Sequence, residues 1–240
     1  MTTTIHAHMT LGALVNAHPE LAREFERRGL DYCCGGGQPL AEACADQGLD
    51  PTVTASELSA VSTAVSTFGW ASMGAADLVD HLEATHHRYL WEELPRLSAL
   101  LAKVVTVHGE RHPELHAIAA CYEEARADLE PHLAREEQVL FPMIRELATA
   151  ESLPSFHCGS LRNPISVMLR EHDAVGTLLA ELRRLTNGYL APADGCTSYV
   201  TCFTALAELE ADTHLHIHKE NNLLFPLVTR MEAKLLGARR

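Results

Sequence analysis

The sequence contains no cluster of lysine and arginine residues, and its formal net charge at pH 7 is −13. Because contact with phosphate groups requires clustered cations, nucleic acids and anionic membranes are disfavoured as partners. The longest apolar stretch, residues 97–107, contains Lys103 and is far shorter than the ~20 residues of a membrane span. No charged and then apolar leader opens the chain, so we expect a cytoplasmic protein.

Alternating β-branched residues, the pattern typical of strands, are nearly absent as well. The seven cysteines are odd in number and scattered, as expected of reduced thiols rather than of a disulfide framework. With 47% hydrophobic residues, the chain can bury a core without such cross-links.

Four long helical patterns occupy residues 76–104, 114–149, 162–187 and 197–234. Helices of this length with short connections predict an all-α, up-down-up-down four-helix bundle. We predict three parts: a small helical N-terminal domain at 1–55, a linker at 56–74 and the bundle at 75–235. The linker is rich in Ser, Thr and Ala, and residues 56–65 within it carry a weak helical pattern.

The N-terminal domain contains a turn of unusual composition. One helix is predicted after Thr10, a second over residues 19–28 with Gly29 as its stop, and a short third over 39–48. Between the last two lies Asp31-Tyr-Cys-Cys-Gly-Gly-Gly37, where three consecutive glycines exclude helix and strand.

What the sequence does contain in excess is histidine, with fifteen residues. Two segments 84 residues apart repeat a His-x-x-x-Glu pair, His132 with Glu136 and His216 with Glu220, and each continues to Leu-Phe-Pro. Spacing i, i+4 places each pair on one helix face, and apolar residues continue that face, so both pairs are predicted to point inward. A buried glutamate costs several kcal/mol unless it is paired or ligates a metal.

Each half of the bundle offers a further histidine one helix upstream. His87 precedes His132 by 45 residues, and His172 precedes His216 by 44. Four imidazoles and two carboxylates able to bridge suit two iron or manganese ions, whereas zinc favours closed tetrahedral sites. His86 is the alternative first-helix ligand if the register differs by one residue.

Other polar residues lie close in sequence to the two repeated histidines and are not predicted to be metal ligands. His214 and His218 flank His216 by two positions and are expected to be exposed to solvent. Asp128 and Asp212 lie one turn before the two repeated histidines. They are interpreted either as partners of the ligands or as surface residues.

The whole chain resembles the RIC (Repair of Iron Centers) family of hemerythrin-like di-iron proteins. The resemblance rests on Asp31–Gly37, on Arg135-Glu-Glu-Gln-Val-Leu-Phe-Pro-Met-Ile144, on Pro164–Met168 with Glu171-His-Asp173, and on Glu220-Asn-Asn-Leu-Leu-Phe-Pro226. It implies a bacterial cytoplasmic protein that restores iron–sulfur clusters damaged by nitric oxide or peroxide. It also implies two non-haem, carboxylate-bridged irons, held by His87, His132, Glu136, His172, His216 and Glu220.

The family's cysteine pair corresponds to Cys33 and Cys34. Adjacent cysteines form a strained disulfide at best, while a glycine-rich turn would expose them and stabilise a thiolate. A redox or metal-handling role, docking to a client, and a purely structural turn all remain open. The other cysteines are interpreted as small apolar residues, namely Cys44, Cys121, Cys158, Cys196 and Cys202.

Two functions from different classes follow. The first is cluster repair by supply of iron, with damaged iron–sulfur proteins and an electron donor as partners. The alternative is a di-iron nitric oxide reductase, or a sensor that binds nitric oxide or oxygen, because an open iron pair binds diatomic molecules. The sequence does not decide whether the protein forms a homodimer. It also does not decide whether the cysteine turn folds onto its own bundle or onto a partner subunit.

Overall fold

The computed structural model describes residues 4–62 and 69–237. Over these residues the chain forms helices and turns and no strand, which confirms the predicted all-α class. The chain divides into two compact units. The first contains Met1–Val79, Ile144–Ser155 and His214–Arg240, and the second contains Asp80–Met143 and Phe156–Thr213.

The N-terminal part of the first unit consists of α1 (Leu11–Ala17), α2 (Leu21–Arg28), α3 (Leu40–Asp46) and α4 (Pro51–Val61). Local chemistry sets their ends. The Thr10 side chain accepts from the N–H of Ala13 at the start of α1, and α2 ends at Gly29, whose φ of 64° is left-handed. The buried apolar faces meet in one core that includes Leu11, Leu14, Leu21, Phe25, Leu40 and Leu58.

Helix α4 crosses the predicted boundary at residue 55 and enters the predicted linker. Asp50 caps it through the N–H groups of Thr52 and Val53, and Leu58 is fully buried in the core. Residues 63–68 of the predicted linker lie outside the described residues. The helical N-terminal part therefore continues at least to Val61.

Long helical segments follow in the predicted places. They are α5 (Ala75–Leu82), α6 (Arg88–His108), α7 (Glu114–Arg135), α8 (Phe141–Thr149), α9 (Arg162–Leu185), α10 (Thr197–Lys219) and α11 (Phe225–Gly237). Among the described helices, none has the length and apolar composition that crossing a membrane requires.

The second unit consists of helices that pack against one another through buried apolar side chains. Helix α7 packs against both α6 and α9. The buried Tyr122 hydroxyl on α7 donates to the Leu94 carbonyl on α6, at 2.7 Å. Arg183 on α9 donates to Glu210 on α10 at 3.1 Å, which brings the fourth helix against the third.

Within the part of the chain that the structure describes, three π-helical turns interrupt the long segments: π1 (Glu83–His87), π2 (Glu136–Leu140) and π3 (Glu220–Leu224). In π2 and π3 the N–H of the next residue, Phe141 or Phe225, donates five residues back to the carbonyl of Glu136 or Glu220. Pro142 and Pro226 follow, and proline cannot donate the usual α-helical bond. π-turns of this kind occur frequently at functional sites.

The helical pattern predicts uninterrupted α-helices here, and the π-turns correct that expectation. Each π-turn inserts an extra residue and rotates the following face. Val139 lies seven residues after His132, on the same face of an uninterrupted α-helix, but it is 40% exposed because of the π-turn. The side chains on either side of each turn can then face the same core.

Candidate metal centre

In the second unit, four of the predicted ligands come from π1, α7 with π2, and α9. His132 Nε2 lies 3.3 Å from Glu136 Oε2, and His87 Nε2 lies 3.5 Å from the same oxygen. His172 Nε2 lies 3.1 Å from His132 Nε2. All four side chains are buried, and Glu136 has no exposed surface. Nitrogen and oxygen donors therefore converge inside an apolar core.

In the first unit, the repeated pair has the same local geometry. His216 Nε2 lies 3.3 Å from Glu220 Oε1, the distance also found between His132 and Glu136. Both residues are buried. The sequence repeat therefore corresponds to a repeated arrangement of donors, one at each π-turn.

The donor chemistry fits iron. Each of the six predicted residues belongs to a group of buried histidine and glutamate side chains that could hold a metal ion. Buried carboxylates are expensive without a compensating cation, and imidazole with carboxylate is a ligand set that iron accepts.

A carboxylate orients the first imidazole. Glu137 Oε1 lies 2.9 Å from His87 Nδ1 and accepts a second hydrogen bond from Trp91 Nε1 at 2.8 Å. Because a carboxylate only accepts, the proton of His87 sits on Nδ1, and the Nε2 lone pair faces Glu136. This is the tautomer that metal ligation requires.

A second carboxylate orients His132. Glu171 Oε2 lies 2.8 Å from His132 Nδ1, and Arg135 pairs with Glu171 Oε1 at 2.7 Å. The hydrogen bond with His132, helped by Arg135, lowers the pKa of Glu171 to about 2. Glu171 is therefore a carboxylate that keeps the proton of His132 on Nδ1.

Replacing Glu171 by glutamine keeps its size and removes its charge. We expect the affinity for iron to fall by roughly 10–100-fold, as for other partners of metal-ligating histidines. Competition with a chelator measures this affinity. Glu181→Gln is the matched control, since Glu181 lies on the same helix and pairs with Arg184 at the surface. Equal affinities for both variants would contradict the role assigned to Glu171.

His86, the alternative ligand, has a different environment. It is buried, but its Nδ1 lies 2.9 Å from Asp212 Oδ1. Asp212 is thus a partner of His86, while Asp128 is exposed at the surface of α7. His87, rather than His86, is the residue beside Glu136.

The prediction that His218 is exposed to solvent is wrong, because the N-terminal helices of the first unit cover its face of α10. His218 is fully buried, with Nδ1 3.1 Å from the Tyr32 carbonyl and Nε2 2.9 Å from Asn16 Oδ1. Burial lowers the pKa of His218 to about 4. His214 is mostly covered and lies 2.7 Å from Glu26.

The cysteine turn lies against π3 of its own chain. Asn222 Nδ2 donates to the Cys33 carbonyl at 3.0 Å, and Asn221 Nδ2 lies 3.4 Å from it. A Cβ at Gly36 would lie only 2.6 Å from the Tyr32 carbonyl, so the close approach requires glycine. In this structure the turn therefore packs against a helical turn of its own chain.

The exposure of the thiols differs from the prediction at several positions. Cys34 is partly exposed as expected, but Cys33 is buried. Cys196, interpreted as a small apolar residue, is exposed, and its Sγ lies 3.1 Å from His108 Nε2. Cys44, Cys121 and Cys202 are buried and fit their prediction, whereas Cys158 is partly exposed.

Two partners of the ligands escaped the sequence analysis, Glu137 and Glu171. Each is adjacent in sequence to a predicted ligand, Glu136 or His172. Their position next to those ligands was the available signal. An adjacent residue normally faces another direction on a helix, so the signal was weak without the fold.

Buried histidines and glutamates on packed helices, aligned by further carboxylates, define a non-haem metal-binding helical protein. A family model described as "Hemerythrin HHE cation binding domain" matches residues 78–228, and one described as "Domain of Unknown function (DUF542)" matches residues 7–62. The curated relatives include the iron-sulfur cluster repair protein YtfE of Escherichia coli O81 (strain ED1a). It is 33% identical over 216 residues, which cover 90% of this chain and 94% of the relative.

The protein of the same name from Escherichia fergusonii has the same identity and coverage. The chain therefore belongs to the RIC family of hemerythrin-like proteins. This membership confirms the family and the fold that the motifs predicted, and it implies that the chain binds iron.

Proposed function

We propose that this protein repairs iron–sulfur clusters damaged by nitrosative or oxidative stress, and that it does so by supplying iron. The observation that carries the proposal is the similarity, over 90% of the chain, to relatives named iron-sulfur cluster repair proteins. The buried histidine and glutamate donors support it, because they supply a ligand set from which iron could be delivered.

The centre in this proposal would hold two irons, and the two repeated glutamates would supply the carboxylates that bridge them. The sequence repeat and the equal spacing within each His-Glu pair support a two-fold arrangement of ligands. Its ligands are His87, His132, Glu136, His172, His216 and Glu220. Bound iron would supply both the ion that is delivered and open positions for small ligands.

The chain's own residues prepare this centre. Glu137 and Glu171 hold the protons of His87 and His132 on Nδ1, so that each Nε2 carries the lone pair that a metal ion would accept. Burial of all the donors excludes water and limits exchange of the metal with solvent. The damaged clusters of other proteins, an electron donor and a cytoplasmic setting belong to the same proposal.

A repair assay tests the proposal. The full-length chain, loaded with iron, is mixed with an iron–sulfur enzyme whose cluster has been damaged by nitric oxide, and recovery of that enzyme's activity is followed. We expect recovery with the loaded chain and none beyond background with the metal-free chain. Equal recovery with both forms would rule out supply of iron.

The same preparation tests the alternative of nitric oxide reduction. A reductase would convert nitric oxide to nitrous oxide over many turnovers when an electron donor is present. We expect at most a stoichiometric reaction, because the proposed role consumes bound iron. Sustained turnover without repair would replace our proposal by the enzymatic one.

A further inference from the structure

Within the described residues, a third group of side chains that could hold a metal ion is made of residues other than the predicted iron ligands. Asp31, Cys33 and Cys34 place a carboxylate oxygen and two sulfurs within 4.8 Å of one another. We propose that these three residues form a second, open metal site that binds one divalent transition-metal ion of borderline softness, such as iron(II) or zinc. Thiolate ligands suit such ions and disfavour magnesium or calcium.

The distances between the donor atoms match such a site. The two sulfurs lie 3.9 Å apart. A tetrahedral ion with metal–sulfur bonds of ~2.3 Å requires sulfurs ~3.8 Å apart, whereas a disulfide requires ~2.05 Å. Cys33 Sγ lies 3.1 Å from Asp31 Oδ1, and the corresponding sulfur–oxygen edge would be ~3.5 Å. A shift of a few tenths of an ångström therefore completes the geometry.

The backbone holds the carboxylate in place before any ion binds. Asp31 Oδ1 accepts from the N–H groups of Cys33 and Cys34, both at 3.0 Å, and Oδ2 accepts from Gly35 at 2.9 Å. The carbonyl of Cys33 is in turn fixed by Asn222. The three donors are consequently positioned by the turn and need little ordering on binding.

A bound cation would displace the protons of the two thiols, because its charge stabilises both thiolates beside the carboxylate.

Three protein ligands leave the fourth coordination position of a tetrahedral ion open. Structural metal sites, in contrast, have all four positions occupied by protein ligands. Cys34 is partly exposed, so an ion can reach the turn from solvent. The turn also contacts Asn221 and Asn222, which follow the proposed iron ligand Glu220 directly. The second site could bind iron transiently while iron is transferred to a damaged cluster, and this role rests on the proposed repair function. The binding of a metal ion at the site does not depend on that function.

Cobalt(II) is the probe for the experiment, because thiolate ligation gives it an intense charge-transfer absorption that histidine and carboxylate ligation lacks. The full chain, already carrying iron at the histidine and glutamate centre, is titrated under reducing, oxygen-free conditions. We expect one equivalent of cobalt with a thiolate band, lost in Cys33→Ser and in Cys34→Ser. Asp31→Asn retains an oxygen acceptor for the turn and is expected to weaken binding by about tenfold or more.

Cys158→Ser is the matched control, since Cys158 is a partly exposed thiol elsewhere in the chain. It should leave the band unchanged, and the iron content of every variant should match that of the parent, which shows that the fold is intact. Absence of the band in the parent, or its persistence in the Cys33→Ser, Cys34→Ser double variant, would overturn the second site. A normal titration with no cluster repair would instead overturn only the repair proposal.

Discussion

Replacing either Glu136 or Glu220 by glutamine is expected to remove nearly all bound iron, a fall of at least about tenfold in iron per chain. Both carboxylates are fully buried beside a histidine. Glutamine keeps the shape but cannot offset the charge of an iron ion in a medium of low polarity. Elemental analysis of the purified variants, prepared under identical conditions, measures the effect.

The two variants also distinguish a bridged pair from two separate ions. If each glutamate bridges both irons, either single substitution empties the whole centre. If each half held its own ion, each substitution would remove only half of the iron, and the bridged arrangement would be wrong. Glu124→Gln is the control, because Glu124 is an exposed glutamate on the same helix as His132; it should retain the iron content of the parent.

Features that depend on neighbouring residues in sequence could be predicted. The cap at Thr10 and the stop at Gly29 are local, and both were found where the sequence places them. The two His-Glu pairs followed from helical spacing and from the repeat, which relates segments of one chain without knowledge of its fold. The structure places all four of these side chains in the interior.

Features that depend on distant contacts could not be predicted in the same way. His218 lies on the helix face opposite His216, and periodicity alone makes that face exposed. It is covered instead by Asn16 and the Tyr32 carbonyl, about 200 positions earlier in the chain. Glu171 likewise meets His132 across two helices, at a sequence separation of 39 residues.

The π-turns belong to the same category. Residues 136–140 and 220–224 carry no pattern that separates them from α-helix, apart from the proline that follows each. Proline removes one hydrogen bond, but whether a helix kinks, ends or takes in an extra residue depends on the packing around it. Here each of these two π-turns begins at a predicted ligand glutamate, Glu136 or Glu220.

Removing iron from the loaded chain is expected to lower its thermal unfolding midpoint by about 8–16 °C. A ligand that binds only the folded state, present at 1,000 times its dissociation constant, stabilises that state by about 4 kcal/mol. For a chain of this size each kcal/mol corresponds to roughly 2–4 °C. Calorimetry with and without an excess of chelator measures the shift at fixed protein concentration.

The variants assign this shift to the centre in the bundle. Glu136→Gln, which we expect to lack the iron of the bundle centre, should lose most of this shift between the conditions with and without chelator. The Cys33→Ser, Cys34→Ser double variant should retain the full shift, because those thiols belong to a different site. A parent chain that unfolds at one temperature in both conditions would show that the buried carboxylates are stable without a cation, and the main reason for placing iron beside them would be lost.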